Sequence, residues 1–216
     1  MSLLRNSMIA FFNYFVKITG WIVQKIVFRT KIFYEDKKVQ SRKIKGKAII
    51  VSNHTSVYDC AVYLFVFFFT TLRCQMAEIL YKKKPLAIFL KMMGGIYVNR
   101  DIHDLSCLDK SNDILSKGGK VLIFPEGRIP KKDEVPPLEY KPGAAILALM
   151  SEAPIIPIYT NGAYFTKKRA RVIIGKPIKV ESLIDKNLSE KENIEILNRA
   201  IKGKIIELGR MLNEKK

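Results

Sequence analysis

The chain has 216 residues, which suits one domain or one domain with a small appendage, and at that size a core forms without a metal or disulfide staple. Hydrophobic residues make up 48%, which excludes wholesale disorder. The 38 Lys+Arg against 20 Asp+Glu leave a net charge of +18, a field that gathers polyanions, either nucleic acid or the anionic face of a membrane.

Residues 1–36 stand apart from the rest. At about 100° per residue, Asn6, Asn13, Lys17, Gly20, Gln24 and Lys31 fall on one narrow strip. The remaining surface of that cylinder is mostly large and apolar, from Leu4 and Phe11 to Trp21 and Phe28, with Arg5, Lys25 and Arg29 near the flanks of the strip. A helix lying on an ordinary soluble core carries less apolar surface than this. Yet the longest uncharged run, 6–16, falls short of the roughly 18–20 apolar residues that a membrane span requires. One or two helices partly sunk in a membrane interface are therefore expected, the alternative being a helix packed on the domain. Gly20 is the point where the stretch can break into a helical hairpin. No A-x-A cleavage pattern follows, so a signal peptide is not expected.

From 37 to 216 short apolar runs alternate with helical stretches. Strands are expected at 47–52, 73–77, 95–99, 120–124, 155–160 and 171–174, and helices at 58–71, 84–93, 103–116 and 144–151. The last helix is announced by a capping box, Ser189 with Glu192, followed by one apolar face from Ile194 to Leu212. Strands alternating with helices predict an α/β domain with a mixed, largely parallel sheet flanked by helices. Cys60, Cys74 and Cys107 are odd in number and lack motif spacing, which fits reduced thiols in a cytosolic compartment better than a disulfide framework or a zinc site.

Two histidines limit the search for a general base. His103 lies in a polar stretch and reads as a surface residue. His54 follows an apolar strand and opens the segment Asn53-His54-Thr55-Ser56-Val57-Tyr58-Asp59, at the kind of strand end where α/β folds place ligands. In a continuous helix His54 and Asp59 would lie about 140° apart, so they meet only if His54 precedes the first turn. Placed there, the carboxylate fixes the imidazole tautomer and leaves the other nitrogen free to take a proton from an alcohol. The alternative is a plain helix-capping run of Asn, Thr and Ser. Three further constellations accompany it. Gly94-Gly95 through Arg100 ends in an arginine able to fork onto a phosphate, or is an ordinary turn with a solvated arginine. Phe124-Pro125-Glu126-Gly127-Arg128 seats a polar head, or is a surface salt-bridged turn, and Lys141 adds one more cation before a helix. The run from Ala153 to Ile158, with two prolines, reads as a strand.

In this order, the four segments resemble the signature blocks of the glycerophosphate and 1-acylglycerol-3-phosphate acyltransferases. Asn53, His54, Ser56 and Asp59 match N-H-x-S-x-x-D; Gly94 or Gly95 through Arg100 matches the second block; Phe124 to Gly127 matches F-P-E-G; the proline-containing strand matches the fourth. The resemblance covers about residues 47–160. One departure is that Arg128 follows Gly127 directly, where the third block often reads E-G-T-R-S. The resemblance implies a glycerolipid-acyltransferase-like domain in which His54, poised by Asp59, deprotonates the 2-hydroxyl of 1-acylglycerol 3-phosphate. The alkoxide then attacks an acyl thioester on coenzyme A or acyl carrier protein and gives phosphatidate. Arg100, Glu126, Gly127, Arg128 and Lys141 would bind substrate, backbone N–H groups near Gly127 would steady the oxyanion, and Ser56 would be structural. A thioester is already activated, so no metal or cofactor is implied. The acceptor alternatives are glycerol 3-phosphate or another lysolipid, and a non-catalytic lipid-binding protein is the alternative outside that chemistry. The implied place is the cytoplasmic face of the cell membrane, held there monotopically or peripherally. Nucleic acid is not an expected partner, since no RNP, zinc-finger or helix-turn-helix signature occurs.

Overall fold

The computed structural model describes residues 3–99, 105–167 and 169–215. Its centre is a seven-stranded sheet built from β1 (Lys31–Tyr34), β2 (Ala48–Ser52), β3 (Leu72–Ala77), β4 (Ile96–Val98), β5 (Lys120–Ile123), β6 (Ile155–Thr160) and β7 (Arg171–Ile174), in the order β1-β7-β6-β2-β5-β3-β4. Every neighbouring pair is parallel except β6 with β7. β2 lies at the middle with all five residues buried, as a strand covered on both faces must be.

Helices cover both faces. On one, α5 (Ser106–Ser116), α6 (Gly143–Ser151) and α7 (Glu190–Glu214) bury Leu115, Leu147, Leu197 and Ile201 against Ile49, Val121 and Ile155. On the other, α3 (Asp59–Val66) buries Val62, Tyr63 and Val66 against Ile50, Leu122 and Ile156. α7 starts where the capping box places it: Ser189 Oγ accepts from Glu192 N, and the Glu192 carboxylate accepts from Ser189 N.

The N-terminal stretch differs from expectation in one respect. α1 (Leu3–Thr19) and α2 (Trp21–Val27) are helical and break at Gly20, but 31–34 is a strand of the sheet, so the α/β unit begins before residue 37. Close packing requires glycine at the break. A Cβ on Gly20 would come within 2.9 Å of Phe65 Cζ and of Val16 O.

The orientation of α1 decides the character of the molecule's surface. Its polar strip faces inward. Asn13 is buried and donates to the carbonyls of Ile9 and Met93. Lys17 is fully buried, and its Nζ donates to the carbonyls of Phe67, Phe68 and Thr70 at 3.3, 3.2 and 2.6 Å. These oxygens lie at and beyond the C-terminus of α3, where a cation also complements the helix dipole. Burial pushes the Lys17 ammonium down to about 8. The apolar surface faces outward instead: Leu4, Met8, Phe11, Phe15 and Ile18 on α1 and Trp21, Ile22, Val23 and Ile26 on α2 are exposed. Exposed Ile88 and Met92 on α4 (Lys84–Met92) add to this surface, and Phe89 of the same helix meets Phe12 edge-on at 5.8 Å.

Lys17→Glu sets a carboxylate against three carbonyl oxygens, so α1 should undock. In limited trypsin digestion the first cut is expected at Lys25, Arg29 or Lys31, at least about tenfold faster than in the parent chain, a fall of roughly 1.4 kcal/mol or more in the free energy of opening, while the remainder of the chain persists.

Candidate active site

The parallel strands β2, β5 and β6 end on the same side, and the loops leaving them build one cluster. The loop after β2 is a tight wrap around a carboxylate. Asp59, the first residue of α3, is fully buried. Its Oδ2 accepts from Thr55 N at 2.7 Å and Ser56 N at 2.9 Å, and its Oδ1 accepts from Thr55 Oγ1 at 2.9 Å. His54 Nδ1 lies 2.8 Å from the same Oδ2. His54 thus sits before the first helical turn, the one placement in which the two side chains meet. With a carboxylate as acceptor, Nδ1 carries the proton and Nε2 is left open as a base. The imidazole lies flat on Phe124, ring centres 4.2 Å apart at 17°, and remains partly exposed.

Two further side chains fix the loop to neighbouring strands. Asn53 pairs through its amide with the backbone of Thr160 at the end of β6, donating to its carbonyl and accepting from its N–H, both at 2.9 Å. Glu126, in the turn after β5, accepts from His54 N at 3.0 Å through Oε1 and from Leu138 N at 3.0 Å through Oε2. Tyr63 Oη meets Ser52 Oγ at 2.5 Å, and Tyr164 Oη meets Thr160 Oγ1 at 3.1 Å. Burial, reinforced by the Asp59 charge, pushes both phenols up, so both stay protonated near the dyad.

The other expected site residues are placed as follows. Glu126 is 3% exposed and both of its oxygens are occupied, so its visible work is to hold the His54 backbone. Gly127 has φ +71° and its N–H donates to Phe124 O, so this amide is already engaged as a donor. A Cβ there would come within 2.9 Å of Lys141 Cε, which runs alongside the turn. Lys141 is exposed and its N–H donates to Pro125 O. Arg128 is also exposed but engaged, forking onto Glu134 with both contacts at 2.5 Å and holding that carboxyl down to about 2. Ser56 Oγ accepts from Tyr58 N, a local turn contact. Arg100 and His103 lie outside the described residues. The sequence reading did not find the parts played by Thr55, Thr160 and the Leu138 amide. Of these only Thr55 carries a signal, as a hydroxyl residue in a run already suited to capping.

Glu126→Ala removes the acceptor for two part-buried amides. It should lower the unfolding free energy by about 3 kcal/mol, at about 1.5 for each hydrogen bond to a charged group, as measured by denaturant titration.

Comparison with known proteins bears on the family and the fold. The family model described as Acyltransferase matches residues 31–161, a stretch that contains both members of the dyad and the Glu126 turn. Human 1-acyl-sn-glycerol-3-phosphate acyltransferase beta is 23% identical over 172 residues, which are 78% of this chain and 61% of the human protein, so the chain spans about three fifths of that relative. The crystal structure of the 1-acyl-sn-glycerophosphate acyltransferase PlsC from Thermotoga maritima has the same fold, with a TM-score of 0.64 at 20% identity, covering 95% of this chain and 81% of that one. A chain matched by the family model over more than half its length belongs to the Acyltransferase family.

Proposed function

We propose that this protein transfers a fatty acyl group from acyl-CoA or an acyl carrier protein to the 2-hydroxyl of 1-acylglycerol 3-phosphate, giving phosphatidate. The observation that carries the proposal is the His54–Asp59 contact at 2.8 Å, made on the side where β2, β5 and β6 end. Nε2 takes the hydroxyl proton as the oxygen attacks the thioester carbonyl. The C–S bond then breaks, and the departing thiolate recovers the proton from the imidazolium. The choice of acceptor follows the names of the human and Thermotoga relatives. It also fits the cations around the Glu126 turn: Lys141 has no carboxylate partner among the described residues, and Arg128 would have to leave Glu134 to join it. By the resemblance, Arg100 completes the phosphate site.

His54→Ala should lower kcat by about 10²–10⁴-fold, the usual share of a general base. Asp59→Asn should cost about as much through the wrong tautomer, although the loss of a buried carboxylate also loosens the 53–58 loop. A transfer assay with purified protein, an acyl donor and a panel of lysolipids checks both and tests the acceptor. Equal rates on a phosphate-free monoacylglycerol would overturn the acceptor, and full activity in His54→Ala would overturn the mechanism.

The same reading places the protein on the cytoplasmic face of a membrane, with α1 and α2 lying in the interface. Among the described residues no helix is long and apolar enough to cross a bilayer. Support comes from the outward apolar faces of both helices and the net charge of +18, which draws the protein to anionic lipid. The apolar strip leads toward the 53–58 loop, since Phe28 at the end of α2 touches Tyr58 and Phe165, which touch each other. The double variant Phe11→Asp with Ile22→Asp should abolish flotation with phosphatidylcholine vesicles and leave secondary structure intact by circular dichroism.

A further inference from the structure

A cavity of about 360 Å³ lies at the opposite end of the sheet from His54. Thr71 and Arg73 at the start of β3, Gly119 and Lys120 at the start of β5, and the last turn of α5 form its walls, and Asn6, Ala10 and Tyr14 of α1 form its roof. Among the described residues its lining holds three side-chain cations, Arg73, Lys117 and Lys120, against one carboxylate, Asp113. Asp113 is already paired with Lys117.

Arg73 is the unusual member. It is 6% exposed, yet among the described residues its guanidinium meets only neutral acceptors, Gly94 O at 3.3 Å and Asn6 Oδ1 at 3.0 Å. Space has been cleared for it. Gly94 has φ +77°, and a Cβ there would stand 1.7 Å from Arg73 Nη1. Burial, together with the charge of Arg5, pushes the guanidinium down to about 10, and burial also lowers Lys120. A buried cation without a counter-charge is costly, and an anion entering the cavity supplies one. Guanidinium and ammonium groups together match a phosphate oxyanion.

The surroundings favour a lipid as the source of that phosphate. Phe69 lines both this cavity and an adjoining groove formed by Ile18, Trp21, Phe68 and Arg42, whose guanidinium donates to the carbonyls of Phe65 and Val66. A phosphate held at Arg73 therefore has an apolar path beside it for an acyl chain. We propose that the cavity binds the phosphate headgroup of an anionic phospholipid, at a site separate from catalysis, and so pins α1 against the sheet from within. Only the choice of a lipid over a soluble phosphate rests on the membrane reading given above.

Trp21 is the chain's single tryptophan and lies in the adjoining groove, so its fluorescence reports occupancy. The full chain is titrated with dihexanoylphosphatidylglycerol below its micelle concentration, with inorganic phosphate as the soluble arm. A saturable change with the lipid is expected. Arg73→Gln and Lys120→Gln should each weaken it more than about tenfold, and the remote, exposed Lys186→Gln should leave it unchanged. Lys120→Gln decides the matter if Arg73→Gln does not fold. The proposal is overturned by the absence of saturable binding, or by cavity variants that titrate like the parent chain. Inorganic phosphate binding as tightly as the lipid would overturn the lipid assignment. Flotation with phosphatidylcholine vesicles is measured in parallel. Its loss alongside an intact lipid titration would defeat the membrane reading and leave this site standing.

Discussion

Four donors converge on the Asp59 carboxylate: two backbone amides, one hydroxyl and one imidazole. A charge with no exposed surface is tolerated only when its oxygens are this fully hydrogen-bonded. The demand shapes the chain before α3, since residues 53–58 must coil back over the helix start for Thr55 and Ser56 to present their N–H groups. His54 is carried into place by that coil. Asn53 then secures one side of the loop to β6, and Glu126 secures the other to the turn after β5. The geometry of the His54–Asp59 pair is a by-product of solvating one anion with protein groups, and it is held from three directions.

The N-terminal helices obey the opposite logic. A helix normally docks by its apolar stripe and shows its polar face to water. α1 docks by Asn13 and Lys17, helped by Ile9, and leaves Phe11 and Phe15 outside. The interactions available to it are those of a donor meeting the loose carbonyls at helix ends: Met93 O just past α4 and Phe67 O just past α3. Such ends need donors in any case. Lys17 and Arg42 between them occupy the carbonyls from Phe65 to Phe68.

That arrangement also explains what could be seen in the sequence and what could not. The bounds of β6 and β7 were legible to the residue, because short apolar runs bounded by turn residues leave little choice, and α7 was legible from its capping box. The meeting of His54 and Asp59 was legible as a conditional: it required His54 to precede the helix, and it does. α3 was read too long, to 71. Its apolar run continues through Phe69, but the helix stops at Val66, where distant cations take its last carbonyls, and no local pattern records that. β1 was missed because its four residues follow an apolar helical stretch without a break signal, and its pairing partner lies some 140 residues away. Arg73 was read only as the start of a strand. Its burial depends on Gly94 and Asn6, neither of them near it in sequence.

The strand β1 carries a mechanical consequence. It follows α2 directly and is zipped in parallel to β7 from Lys31 to Tyr34, while the opposite end of the helical pair is stitched to the sheet through Asn6 and Arg73. A helical pair sewn down at both ends cannot swing like a hinged flap. Tilt it and the sheet tilts with it, so the attitude of these two helices sets the direction in which His54 faces.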